Sequence, residues 1–164
     1  MAYRDGPSGI GGWLAFFLVT VGVFAPLRIL GTAYGLFSDP RIAQAYGDRW
    51  PLLATVEIIL IVVNLAALAF LLWRFFTRRT WQSVRIGIAG IWLIPVVVTV
   101  LETLAVTLIG GISAGPLIAQ MMPDMAQALV YSTVWTAYLL RSVRVANTYP
   151  REDETSAGIA EVFE

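Results

Sequence analysis

The stretch PLLATVEIILIVVNLAALAFLLW, residues 51–73, decides the class of fold. It carries one charge, Glu57, and little polarity beyond Thr55 and Asn64, with no strict alternation. A helix needs about 20 residues to cross a hydrocarbon core of ~30 Å. Only helices or closed barrels satisfy their backbone in lipid, and a run this long without alternation reads as a helix. Three further stretches behave similarly. They lie at about 10–37, 86–110 and 120–142, the last built on a clean apolar core at 125–140 that GPLIAQMM precedes and lengthens. The expected fold is therefore all-α: an integral membrane four-helix bundle with spans kinked at Pro26 and Pro95. It forms one domain over 10–149, between a short tail at 1–9 and a flexible acidic tail at 150–164.

Composition agrees. Hydrophobic residues make up 58% of the 164, and charged residues only 13%, about half the usual share of ~25% for a soluble domain. The chain has no cysteine and no histidine. That excludes disulfides, iron–sulfur ligation, thiolate or imidazole zinc sites and Ser–His or Cys–His nucleophilic pairs. No cofactor is expected. Zero net charge leaves a nucleic-acid partner without its electrostatic footprint. The opening MAYRDGPSG lacks the basic region and cleavage site of a secretory signal, and the first apolar run is too long for one.

The arginines orient the chain. RFFTRRTWQSVR carries Arg74, Arg78, Arg79 and Arg85, and RSVRVANTYPR carries Arg141, Arg144 and Arg151. Placing both termini and this middle loop in the cytoplasm puts eight arginines inside, Arg4 included, and two, Arg41 and Arg49, outside. The positive-inside rule selects that arrangement. Trp13, Trp73 and Trp81 then fall at the inner interface and Trp50 at the outer one. Arg74, Arg78, Arg79, Arg85, Arg141 and Arg144 form a basic collar suited to anionic headgroups at the cytoplasmic face.

Four charges share a depth. Gly11 to Arg28, Arg74 back to Glu57, Arg85 to Glu102 and Arg141 back to Asp124 each span 17 residues, or about 25 Å of straight helix. Two readings follow. In one, this level is the outer interface and the charges reach water by snorkelling. In the other, the helices continue past it and the charges line a cavity or pair with one another. An unpaired arginine at the bilayer centre costs about 3 kcal/mol on insertion scales, so Arg28 is expected to be held by Glu57, Glu102 or both.

Other features carry a structural and a functional reading side by side. Pro95, Thr99 and Glu102 share a helix face, as do Glu57 and Asn64. Gln127, Tyr131, Trp135, Tyr138 and Ser142 form one stripe of aromatic and polar groups, suited to bundle packing or to a ligand wall. Gly31 and Gly35 form GxxxG, and Gly87 and Gly90 are similarly placed. Either pair permits close helix contact within the chain or across a dimer.

GGWL (Gly11–Leu14) with Pro26 downstream, and SVRVANTY (Ser142–Tyr149) closing the last span, resemble a bacterial family of small four-span membrane proteins, domain of unknown function 2569. The resemblance covers roughly residues 8–150. Members often close with a Ser-Lys-Arg-Val-Lys-like run, and here Val143 and Ala146 stand at the lysine positions. That argues against a dedicated phosphate site in this segment. The resemblance implies four spans and an inner-membrane location, and supplies no activity.

The leading expectation is a non-enzymatic bacterial inner-membrane protein whose outward-facing polar cavity binds or passes a small solute or ion. Its candidate residues are Arg28, Glu57, Glu102, Asn64 and Tyr131. A second reading is an accessory or assembly protein that binds a membrane-protein partner, or a second copy, through its helices. A third is a lipid-acting enzyme using Glu57 or Glu102 in general acid–base work.

Overall fold

A computed structural model describes residues 6–151. The expected flexible tail at 150–164 therefore lies, beyond Arg151, outside the described residues. Those residues are helical, with no strand among them. Helix α1 runs Gly12–Ser38. A short α2 (Pro40–Tyr46) and a 3-10 turn (Gly47–Arg49) lead into α3 (Trp50–Thr77). Then come α4 (Trp81–Leu108), α5 (Ala114–Arg141) and a short α6 (Val143–Thr148).

Three segments are long and apolar enough to cross a membrane: Gly12–Ser38, the stretch Pro40–Thr77 that joins α2 to α3, and Trp81–Leu108. The expected fourth span corresponds to α5. At 28 residues it has ample length, about 42 Å, but Gln120, Asp124 and Gln127 make its first half more polar than the others.

Local chemistry sets the boundaries. Asp39 caps α2, its carboxylate accepting from the Arg41 backbone N–H at 3.0 Å and from the Arg41 guanidinium at 3.0 and 2.9 Å. Pro40 follows at the first helical position, where its missing N–H is not needed. Pro26 is accommodated differently. Its ring crowds the carbonyl four residues back, and α1 widens just before it into a π turn over Thr20–Phe24, where the Ala25 N–H bonds to the Thr20 carbonyl. Pro95 and Pro123 both sit inside continuous helices. The α3–α4 turn occupies only 78–80, so Arg74 and Arg85, expected in a loop, belong to helix ends.

The tightest packing lies at the end carrying that turn. Leu14, Phe17, Phe75, Val84, Leu139, Val145 and Tyr149 are each at most 2% exposed. Trp135 sits at the centre, with ring centroids 5.0 Å from Phe17, 5.7 Å from Tyr138 and 6.1 Å from Tyr131. Glycine lets α3 and α4 approach here. A Cβ on Gly87 would stand 2.5 Å from the Phe75 ring, and one on Gly90 would stand 2.6 Å from Leu71. Polar side chains bridge α4 and α5: the Ser132 hydroxyl donates to the Ile91 carbonyl at 2.7 Å, and the Trp92 indole N–H to Thr136 Oγ1 at 3.0 Å. Such bonds and close contacts hold helices together where lipid offers no hydrophobic drive.

The two terminal motifs meet at this end. Ser142 caps α6, accepting from the Val145 N–H at 3.4 Å. Arg144 donates to the Ser8 carbonyl at 3.3 Å and lies so close over Gly11 that a Cβ there would stand 2.9 Å from its guanidinium. Tyr149 packs edge-on against Phe75 at 5.5 Å and donates its hydroxyl to the Phe75 carbonyl at 2.9 Å. That carbonyl lies in the last turn of α3, where helical partners run out. GGWL and SVRVANTY are thus parts of one clasp.

Candidate functional site

Away from the clasp the helices part. A cavity of about 540 Å³ opens among α1, α3, α4 and α5. Arg28, Glu57, Asn64, Glu102 and Tyr131, the five residues singled out from the sequence, all line it. So does Asp124. The four charges counted to a common depth therefore border one space. The shared helix faces point the same way, since Pro95, Thr99 and Glu102 from α4 and Glu57 and Asn64 from α3 all reach it.

The polar groups have unequal partners. Arg28 pairs with Asp124, Nη2 to Oδ1 at 2.9 Å, with both side chains well exposed at 60% and 68%. This corrects the expected pairing of Arg28 with Glu57 or Glu102. Counting from the helix ends gives height along the bundle but not rotation about the helix axis, and α5 turns Asp124 toward α1. Glu57 is 8% exposed and has no hydrogen bond or ion pair among the described residues. Glu102 is half-buried and likewise outside the ion pairs. At the base of the cavity, Tyr131 and Thr20 share a hydrogen bond of 2.6 Å, and Thr20 also donates to the Phe17 carbonyl at 2.7 Å. The aromatic stripe of α5 thus divides: Gln127 and Tyr131 line the cavity, while Trp135 belongs to the packed core.

The walls are mostly apolar, with Val21, Phe24, Ile29, Leu60, Ile94 and Val98 among them. A concave, largely apolar space of ~300–1,000 Å³ with a few convergent polar groups is the usual form of a small-molecule site. Among the described residues no three Asp or Glu side chains come together as a metal ligand set.

The basic collar lies at the other end. Arg78, Arg79, Arg85 and Arg141 are exposed. Arg74 donates to Gln82 Oε1 at 2.7 Å, and Arg144 is occupied by the clasp. Trp13 and Trp73 are exposed at the same end, as a headgroup-level aromatic belt requires. Burial pushes the Tyr149 hydroxyl up to about 12, partly opposed by the Arg79 charge, so it remains a protonated donor to the Phe75 carbonyl well above neutral pH.

Residues 7–150 match the family model described as protein of unknown function DUF2569. The chain belongs to this family. The match takes in both terminal motifs and every residue that lines the cavity. No curated protein and no solved structure matches the chain.

Two features are not explicit in the apolar runs and charges. Asp124 stands at the shared depth but outside the expected binding residues, and its count from Arg141 is the available signal. The short helix α2 lies outside the apolar runs, and its signal is local: Asp39 followed by Pro40 is a helix-start signature.

Proposed function

We propose that this family member is a non-catalytic bacterial inner-membrane protein, crossing four times with both termini cytoplasmic, whose cavity opens outward and binds or passes a small solute. One observation carries the reading. Charged and polar side chains from four different helices converge on a single cavity, and one of its carboxylates is held buried without a partner among the described residues. Bundle stability alone does not favour that, because an unpaired buried charge is costly. The orientation rests on the collar: six arginines cluster around the clasped end, which also gathers the segments at 6–12 and 142–149.

The absence of cysteine makes a direct test simple. Ala128→Cys and Thr99→Cys each place one thiol in the cavity wall. In intact spheroplasts, a membrane-impermeant thiol reagent added outside should label both positions. Labelling that appears only in inverted vesicles would reverse the orientation, and labelling only after denaturation would remove the cavity reading.

A second reading has its own support. Gly31 and Gly35 have nothing within 4 Å of where a Cβ would stand, whereas Gly22, Gly87 and Gly90 are filled by neighbouring helices. Among the described residues the first GxxxG is therefore not used for packing, which suits an accessory protein that presents α1 to a membrane partner or a second copy. Crosslinking from Gly31→Cys in native membranes should give a discrete adduct on that reading, and none on the first alone.

A further inference from the structure

The cavity's charge inventory specifies what it takes. Its wall holds one guanidinium and three carboxylates. The guanidinium is already engaged by Asp124 at 2.9 Å. Glu57 and Glu102 remain, and neither has an ion-pair partner among the described residues. Glu57 is more than nine-tenths buried and lines the cavity with its carboxylate unbonded. An anion entering this space would meet two uncompensated carboxylates. Among the described residues no three Asp or Glu side chains come together, the charge-rich set that a compact divalent cation favours.

We infer that the cavity takes an organic cation, with an ammonium head set against Glu57 and Glu102 and an apolar body lying along α1 and α4. This rests on the cavity being solvent-connected, as proposed above. The walls suit the body: Val21, Ile29, Ile94 and Val98 offer only hydrocarbon. Phe24 and Tyr131 also line the space and add aromatic surface for the body. The Arg28–Asp124 pair has a separate part. It joins α1 to α5 across the cavity's margin and leaves the two glutamates as the sites of attraction. A buried carboxylate that is expensive alone becomes favourable once the ligand supplies its counter-charge.

The test compares two thiol reagents at Ala128→Cys, with Thr99→Cys as the second site should the first variant fold poorly. One reagent is the trimethylammonium-bearing ethyl methanethiosulfonate, and the other is its sulfonate counterpart. Ser113→Cys, in the exposed α4–α5 connection, sets the reference rate ratio. A cleft lined by one sign of charge concentrates its counter-ion by roughly 10-fold or more. The ratio of cationic to anionic labelling at the cavity thiol should therefore exceed the reference at least about 10-fold. It should fall back in Glu57→Gln with Glu102→Gln. Excess benzyltrimethylammonium should protect the thiol, and excess toluenesulfonate should not. Labelling by both reagents at the reference ratio would overturn the cation inference and leave the cavity standing. A raised ratio indifferent to the two glutamates would overturn their assignment. No labelling by either reagent, in both cysteine variants, would remove the cavity reading and this inference with it.

Discussion

Where α3 turns into α4, nearly every large side chain has a close neighbour. Trp135 touches rings from α1 and α5, Tyr149 closes the last turn of α3, and Arg144 pins the N-terminal glycines. Toward the other end the same four helices separate around a cavity of about 540 Å³, and a carboxylate in its wall is buried with no partner among the described residues. The first region bonds most of its buried polar groups, Arg74 Nε being an exception, and excludes space. The second keeps both charge and space. The difference is built from small means. Glycines at 87 and 90 draw α3 and α4 together near the clasp, while Glu57, Glu102 and the Arg28–Asp124 pair occupy the corresponding faces further along. Close packing is concentrated in one half, and the other keeps an open space.

The contrast can be broken most forcefully at Trp135. Trp135→Ala should destabilise the bundle by on the order of 3 kcal/mol through lost packing, read as a large drop in melting temperature in detergent. A drop no larger than that of an exposed substitution would mean that the clasped end is not the stable half.

Tyr149→Phe should have a smaller effect, about 1 kcal/mol, for the lost hydrogen bond to the orphan Phe75 carbonyl. Its pH dependence sharpens the point. The Tyr149 hydroxyl is raised from 10.0 to about 12 by burial, so folding favours its neutral form. That contribution is fully present below the unfolded value near 10 and is lost as pH rises through about 12. Melting followed from pH 9 to pH 12 should fall more steeply in the wild type than in Tyr149→Phe. Parallel curves would show that Tyr149 does not anchor the clasp.

The Arg28–Asp124 pair should matter least to stability. Both side chains are largely exposed, and such pairs contribute roughly 0–1 kcal/mol. A double-mutant cycle of Arg28→Gln and Asp124→Asn should therefore give a coupling energy below about 1 kcal/mol. A value above about 2 kcal/mol would make the pair a structural strut and blur the contrast between the two halves.

Much of this architecture was legible in the residues. The apolar runs at 10–37, 51–73 and 86–110 fall on α1, α3 and α4 within a few residues, because hydropathy and length are local properties. The fourth helix begins at Ala114, earlier than the expected 120, because the structure carries all of GPLIAQMM, Pro116 included, within α5. The candidate site was legible as a depth: equal counts from the arginine-marked ends picked residues that do border one cavity. Who pairs with whom was not legible, since rotation of each helix about its axis depends on packing at the far end. The function of GGWL and SVRVANTY was hidden for a similar reason. Each looks like an anchor alone, and only their juxtaposition, Arg144 over Gly11, shows a clasp.

The central claim is that Glu57 is kept for binding at the expense of stability. The most direct measurement is the melting temperature of Glu57→Gln against wild type in the same detergent at neutral pH. The account predicts that the variant melts at or above the wild type, because a buried carboxylate with no partner is relieved of its charge. A variant that melts several degrees below the wild type would contradict it, and Glu57 would then be part of what holds the bundle together.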